Sequence, residues 1–141
     1  RDPWQRLISS FRNPDPDLAN YYHYRTHREL STLSLAEYID VARWLPPPHL
    51  KPQLSLVAAA DSDSPDPRVR VFRQENLSPL ETWLSQHCGQ PIQLARHNQA
   101  RRPLPQLSPA EWSALEQQVR WLYAADGHAF GYTGSKSKVQ D

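Results

Sequence analysis

Proline placement constrains this chain more than any other feature. Fourteen of its 141 residues are proline. Inside a helix a proline removes a hydrogen bond and clashes with the preceding turn, but at the first helical position it is tolerated. Asp2-Pro3, Ser78-Pro79 and Ser108-Pro109 each set a proline directly behind a residue able to cap a helix. Asn13-Pro14-Asp15-Pro16 and Pro46-Pro47-Pro48 act as stops, because a residue before proline avoids the helical region. The chain is therefore divided into short helices with marked ends.

The apolar pattern between these marks is helical. Trp4, Leu7, Ile8 and Phe11 recur at i, i+3, i+4 and i+7 and form one stripe, with Asp2, Arg6, Ser9 and Asn13 opposite. A second helix is expected from about Leu18 to Arg28. A third starts at Ser34, with Glu37 in capping-box spacing and an apolar face of Leu35, Tyr38, Ile39, Ala42 and Leu45. Ser78-Pro79-Leu80-Glu81 caps a helix that closes at Gly89, and Ser108-Pro109-Ala110-Glu111 opens the last one, followed by Trp112, Leu115, Val119, Leu122 and Tyr123. Residues 49–60 read as extended or irregular, 61–67 as a polar turn and 90–107 as loop. Arg68-Val69-Arg70-Val71-Phe72 alternates with period two and predicts a strand. A strand leaves its backbone groups unsatisfied unless it pairs, which implies a sheet.

Composition excludes little. No stretch approaches the ~20 apolar residues of a membrane helix, and a net charge of +1 gives no chain-wide nucleic-acid footprint. Cys88 is the single cysteine and has no internal disulfide partner. Its most economical role is that of a small buried hydrophobe near a helix end. His49 and His97 have no ligand spacing that would support a metal site, and none is expected.

The opening segment holds the most specific chemistry. Arg1 precedes a helix N-terminus, where free amides and the helix dipole favour an anion. Its guanidinium offers a fork of donors, and Ser9 adds a hydroxyl from the polar side of the same helix. Together they could hold a phosphate, although an arginine beside a capped helix is usually a solvated surface residue.

Arg1, Asp2, Pro3, Arg6, Leu7, Ser9 and Phe11 also match, without a mismatch, the R-D-P-x-x-R-L-x-S-x-F segment of sulfotransferases. Four further pieces follow in the family's order. His49-Leu50-Lys51-Pro52-Gln53 is similar to the H-W-x-P-Q segment of chondroitin-type carbohydrate sulfotransferases, with Leu50 in place of Trp. Val71 to Leu77 resembles their strand and turn ending in E-N-L. His97 to Arg102 resembles a basic loop before the last helix. Leu122-Tyr123-Ala124-Ala125-Asp126 with Phe130-Gly131-Tyr132 resembles the closing L-Y-x-x-D-x-x-x-F-G-Y signature.

The resemblance implies an α/β fold: the C-terminal part of a P-loop-like sulfotransferase domain over residues 1–132, mostly helical with one or two strands, and a polar tail at 133–141. It implies PAPS (3′-phosphoadenosine 5′-phosphosulfate) as sulfuryl donor and a hydroxyl acceptor, on a carbohydrate, with no metal and no nucleic-acid partner. Arg1 and Ser9 would bind the 3′-phosphate, Arg101 and Arg102 would reach the nucleotide phosphates, and His23, Arg25 and His27 would border the acceptor. Arg6 and the closing signature would serve packing. The chain has no Met and its four glycines all follow residue 88. The loop for the 5′-phosphosulfate and the catalytic base are therefore expected upstream of Arg1, and no catalytic residue is assigned. The expected compartment is the cytoplasm of a bacterium, with the Golgi lumen behind an N-terminal anchor as the alternative. The competing expectation from the residues is a non-catalytic helical interaction module.

Overall fold

The computed structural model describes residues 1–46, 50–60, 62–95 and 102–132. Its elements are α1 (Pro3–Arg12), α2 (Pro16–Thr26), a 3-10 turn (Leu30–Thr32), α3 (Leu35–Trp44), α4 (Leu54–Val57), α5 (Ser78–Cys88), α6 (Pro109–Leu122) and α7 (Ala124–Phe130).

The helix starts follow their side-chain chemistry. Asp2 accepts from the Gln5 N–H at 3.0 Å, and Asp15 accepts from the N–H groups of Asp17 and Leu18. Ser34 with Glu37, and Ser108 with Glu111, form complete capping boxes. Asp15-Pro16 thus repeats the Asp2-Pro3 signal, so α2 starts two residues before the expected Leu18. It ends at His27, whose left-handed backbone (φ 56°) closes the helix. At α5 the expected cap fails: Ser78 lies inside the helix, Leu77 precedes it without a side-chain cap, and Glu81 instead accepts from the Leu94 N–H at 2.9 Å.

The core is the stripe of α1 set against α3 and α6. Trp4, Leu7, Ile8 and Phe11 are buried with Leu35, Tyr38, Ile39 and Ala42 of α3 and Val119 of α6. Trp4 meets Trp112 edge to face (5.9 Å, 81°) and Phe11 meets Tyr38 in the same manner (5.6 Å, 76°). Tyr38 and Ser10 satisfy each other's buried hydroxyls at 2.6 Å.

The α/β expectation is corrected here. Among the described residues there is no sheet; the only strand-like pairing is one antiparallel bridge between Ala58 and Pro65. Residues 68–72 form no strand: among the described residues no segment pairs with them in a ladder. The Val69 N–H instead closes a turn on the Asp66 carbonyl, and Arg68 folds back onto the Asp66 carboxylate (Nη2–Oδ2 2.6 Å). Val69 and Val71 are left 42% and 48% exposed. The fold described is all helical. No helix among the described residues is long and apolar enough to cross a membrane.

Candidate anion-binding site

Asp126, in the first turn of α7, is fully buried and organises the region around the start of α1. Its carboxylate accepts the backbone N–H groups of Gln53 (2.7 Å) and Leu54 (2.8 Å), which caps α4, and pairs with Arg6 (3.2 Å). Arg6 also donates to the Lys51 carbonyl at 2.9 Å and lies 4.8 Å over the Tyr123 ring. Burial lowers the Arg6 pKa, while the Asp126 charge opposes that shift. The Tyr123 hydroxyl donates to the Leu50 carbonyl at 2.8 Å, and burial raises its pKa. Arg6 is thus a structural residue, its charge compensated inside the fold.

The first two residues are held from outside α1. The Arg1 main-chain nitrogen donates to Gln53 Oε1 (3.0 Å), and Gln53 Nε2 donates to the Arg1 carbonyl (2.8 Å). The Asp2 N–H donates to Glu75 Oε1 (2.8 Å), whose other oxygen accepts from the Tyr132 hydroxyl (3.1 Å). Burial works against ionisation of Glu75, but hydrogen bonds from the Asp2 N–H and from its own backbone N–H lower it and leave its carboxyl below the usual range. Tyr132 is shifted upward, first by burial and then by the Glu75 charge. Arg120 closes the ring of contacts, reaching Asp2 Oδ2 at 3.5 Å and the Tyr132 carbonyl at 3.0 Å. Gly131 adopts φ 70° at the end of α7, and a Cβ there would come within 3.0 Å of Arg73 Nη2, which donates to the Phe130 carbonyl.

This arrangement changes what α1 offers an anion. The Asp2 carboxylate already caps the first turn, and the Asp2 N–H is taken by Glu75, so the helix N-terminus is not a set of open amides. Side chains must supply the donors. Seven of the ten α1 residues are buried, whereas Gln5, Ser9 and Arg12 stay partly exposed along one stripe, with Arg1 at its head. Ser9 lies in the second turn of α1, about 9 Å of helical rise beyond Pro3. Among the described residues, neither the Arg1 guanidinium nor the Ser9 hydroxyl has a hydrogen-bond partner.

The other expected site residues do not gather there. Arg102 turns inward: its guanidinium lies 3.9 Å over the Phe11 ring and donates to the Leu33 carbonyl, while its main chain exchanges bonds with Arg12. Burial lowers its pKa, and its Nη1 is enclosed without a partner among the described residues. Arg101, His49 and His97 lie outside the described residues. His23, Arg25 and His27 are exposed at the end of α2, His23 against Glu29 at 3.0 Å and His27 as the helix terminator. Sequence reasoning gave no individual role to Gln53, Glu75 or Asp126, the last only as part of a closing signature assigned to packing, and none to Arg120. The first three stood inside segments flagged by resemblance, but a buried carboxylate and an amide clasp have no periodicity that would mark them.

No protein family, curated protein or solved structure matches this chain.

Proposed function

We propose that this chain supplies the 3′-phosphate end of a PAPS site in a sulfotransferase that moves a sulfuryl group to a hydroxyl, on a carbohydrate. The observation that carries this reading is convergence. Four of the five segments that resemble the family, as many as 120 positions apart, hydrogen-bond to one another around Arg1, Asp2 and Arg6. Short chance matches have no reason to meet in space. The side chains left free by that network, Arg1 and Ser9, are the two for which the resemblance implies phosphate contact. The reading assigns no group of this chain to the transferring sulfur or to the acceptor proton. Holding the donor's far end is a positioning role, and binding energy spent there can be used at the reacting centre.

The test is titration of the chain with adenosine 3′,5′-bisphosphate. Arg1→Ala and Ser9→Ala should each raise Kd about ten- to hundred-fold, as expected for losing one charge-assisted or hydroxyl contact of roughly 1.5–3 kcal/mol. Equal affinities in all three proteins overturn the proposal. The exposed Trp44 (83%) and Trp121 (76%) favour the second reading, an interaction module. That reading expects no nucleotide binding by the wild-type chain.

A further inference from the structure

The Arg1–Asp2 peptide is held along both edges by residues far away in sequence. Gln53 accepts from the Arg1 nitrogen and donates to the Arg1 carbonyl, while Glu75 accepts from the Asp2 N–H on the opposite edge of the same peptide plane. The Gln53 backbone is fixed in turn, because its N–H is anchored on the buried Asp126 carboxylate at 2.7 Å. A capped helix needs none of this. The Asp2 side chain and Pro3 already start α1, and Gln53 reaches past them to a residue that is not helical. Its two bonds leave the Arg1 backbone little freedom and set the direction in which the Arg1 side chain leaves the chain.

We infer that Gln53 is a positioning residue for the anion site, holding Arg1 at the angle from which its guanidinium meets a phosphate above the Gln5–Ser9 stripe. This rests on the proposed 3′-phosphate site. Gln53 touches no nucleotide and acts through Arg1 alone. Its amide is the one common side chain of this length that offers an acceptor and a donor together, so it can satisfy both backbone groups of one residue. Freezing one residue's backbone costs about tenfold in an equilibrium constant, and a site in which that freedom is already lost binds more tightly by a similar factor.

Four proteins separate this role from a structural one: wild type, Gln53→Ala, Arg1→Ala and the double variant. Each is titrated with adenosine 3′,5′-bisphosphate and with adenosine 5′-phosphate, with thermal unfolding followed alongside. Gln53→Ala should weaken the bisphosphate about tenfold and leave adenosine 5′-phosphate unchanged. In the Arg1→Ala background it should add nothing. Gln53→Glu keeps the acceptor for the Arg1 nitrogen and loses the donor to its carbonyl. It should recover part of the loss, and it serves as the folded variant if alanine unfolds the chain. Two results overturn the inference alone: bisphosphate affinity unchanged in Gln53→Ala and Gln53→Glu, or a loss that persists in full without Arg1. If Arg1→Ala binds as wild type does, or wild type binds neither nucleotide, the proposed site falls and the positioning role falls with it.

Discussion

Helices α1 and α5 have ten and eleven residues and each carries a proline in its first turn, yet α1 buries seven residues and α5 none. Both have an apolar stripe: Trp4, Leu7, Ile8 and Phe11 in one, Leu80, Trp83 and Leu84 in the other. Their difference lies in what meets the stripe. α1 lies between α3 and α6, with Asp2 capping its start. α5 has no side-chain cap, and among the described residues the Trp83 ring meets Phe72 at 5.9 Å, His87 at 4.2 Å and the Arg70 guanidinium at 5.8 Å. Amphipathic spacing is enough to form a helix, but stability comes from tertiary cover. The candidate site stands on the covered helix, where a guanidinium can be aimed.

The largest effect that would break this contrast is at Asp126. Asp126→Ala removes the partner of the buried Arg6 and uncaps α4, and should cost about 3–5 kcal/mol. Urea denaturation followed by circular dichroism checks this. A loss below about 1 kcal/mol would mean that the cluster around Arg1 is not part of the rigid half. A smaller effect belongs to Tyr38, whose hydroxyl pKa burial pushes from about 10 up to about 12. The folded form keeps its proton where the unfolded chain has lost it, so stability is fully present below pH 10. It should fall by about 3 kcal/mol as pH rises towards 12. Tyr38→Phe should flatten that slope, and unfolding midpoints across the window measure it. The smallest effect is at Trp83: Trp83→Ala should cost less than about 1 kcal/mol, far below the ~3–5 kcal/mol of a core tryptophan. A cooperative loss of the whole fold would show that α5 is as essential as α1.

Much of this was legible in the sequence, through local chemistry. Asp2-Pro3, Ser34 with Glu37 and Ser108 with Glu111 are helix starts that three or four residues decide, and the stripe from Trp4 to Phe11 names the core. Segment 68–72 misled because alternation records only a preference for being half buried, and a strand exists only beside a neighbour. Among the described residues no strand pairs with it, and Arg68 uses Asp66 instead. The site was half legible. Arg1 and Ser9 stand out as donors, while the inward turn of Arg102 over Phe11 and the clasp of Gln53 on Arg1 depend on partners 91 and 52 positions away. Those distances leave no local pattern. The start of α1 offers fewer open amides than expected, because the same Asp2 that marks the helix start accepts from the Gln5 N–H and its own N–H goes to Glu75.

If the converging motifs hold Arg1 for a 3′-phosphate, the wild-type chain distinguishes nucleotides by that group. The most direct measurement compares the affinity of the wild-type chain for adenosine 3′,5′-bisphosphate and for adenosine 5′-phosphate at one salt concentration. At least about tenfold tighter binding of the bisphosphate is expected, because only it carries the group that Arg1 and Ser9 contact. Equal affinity for the two nucleotides would contradict the claim.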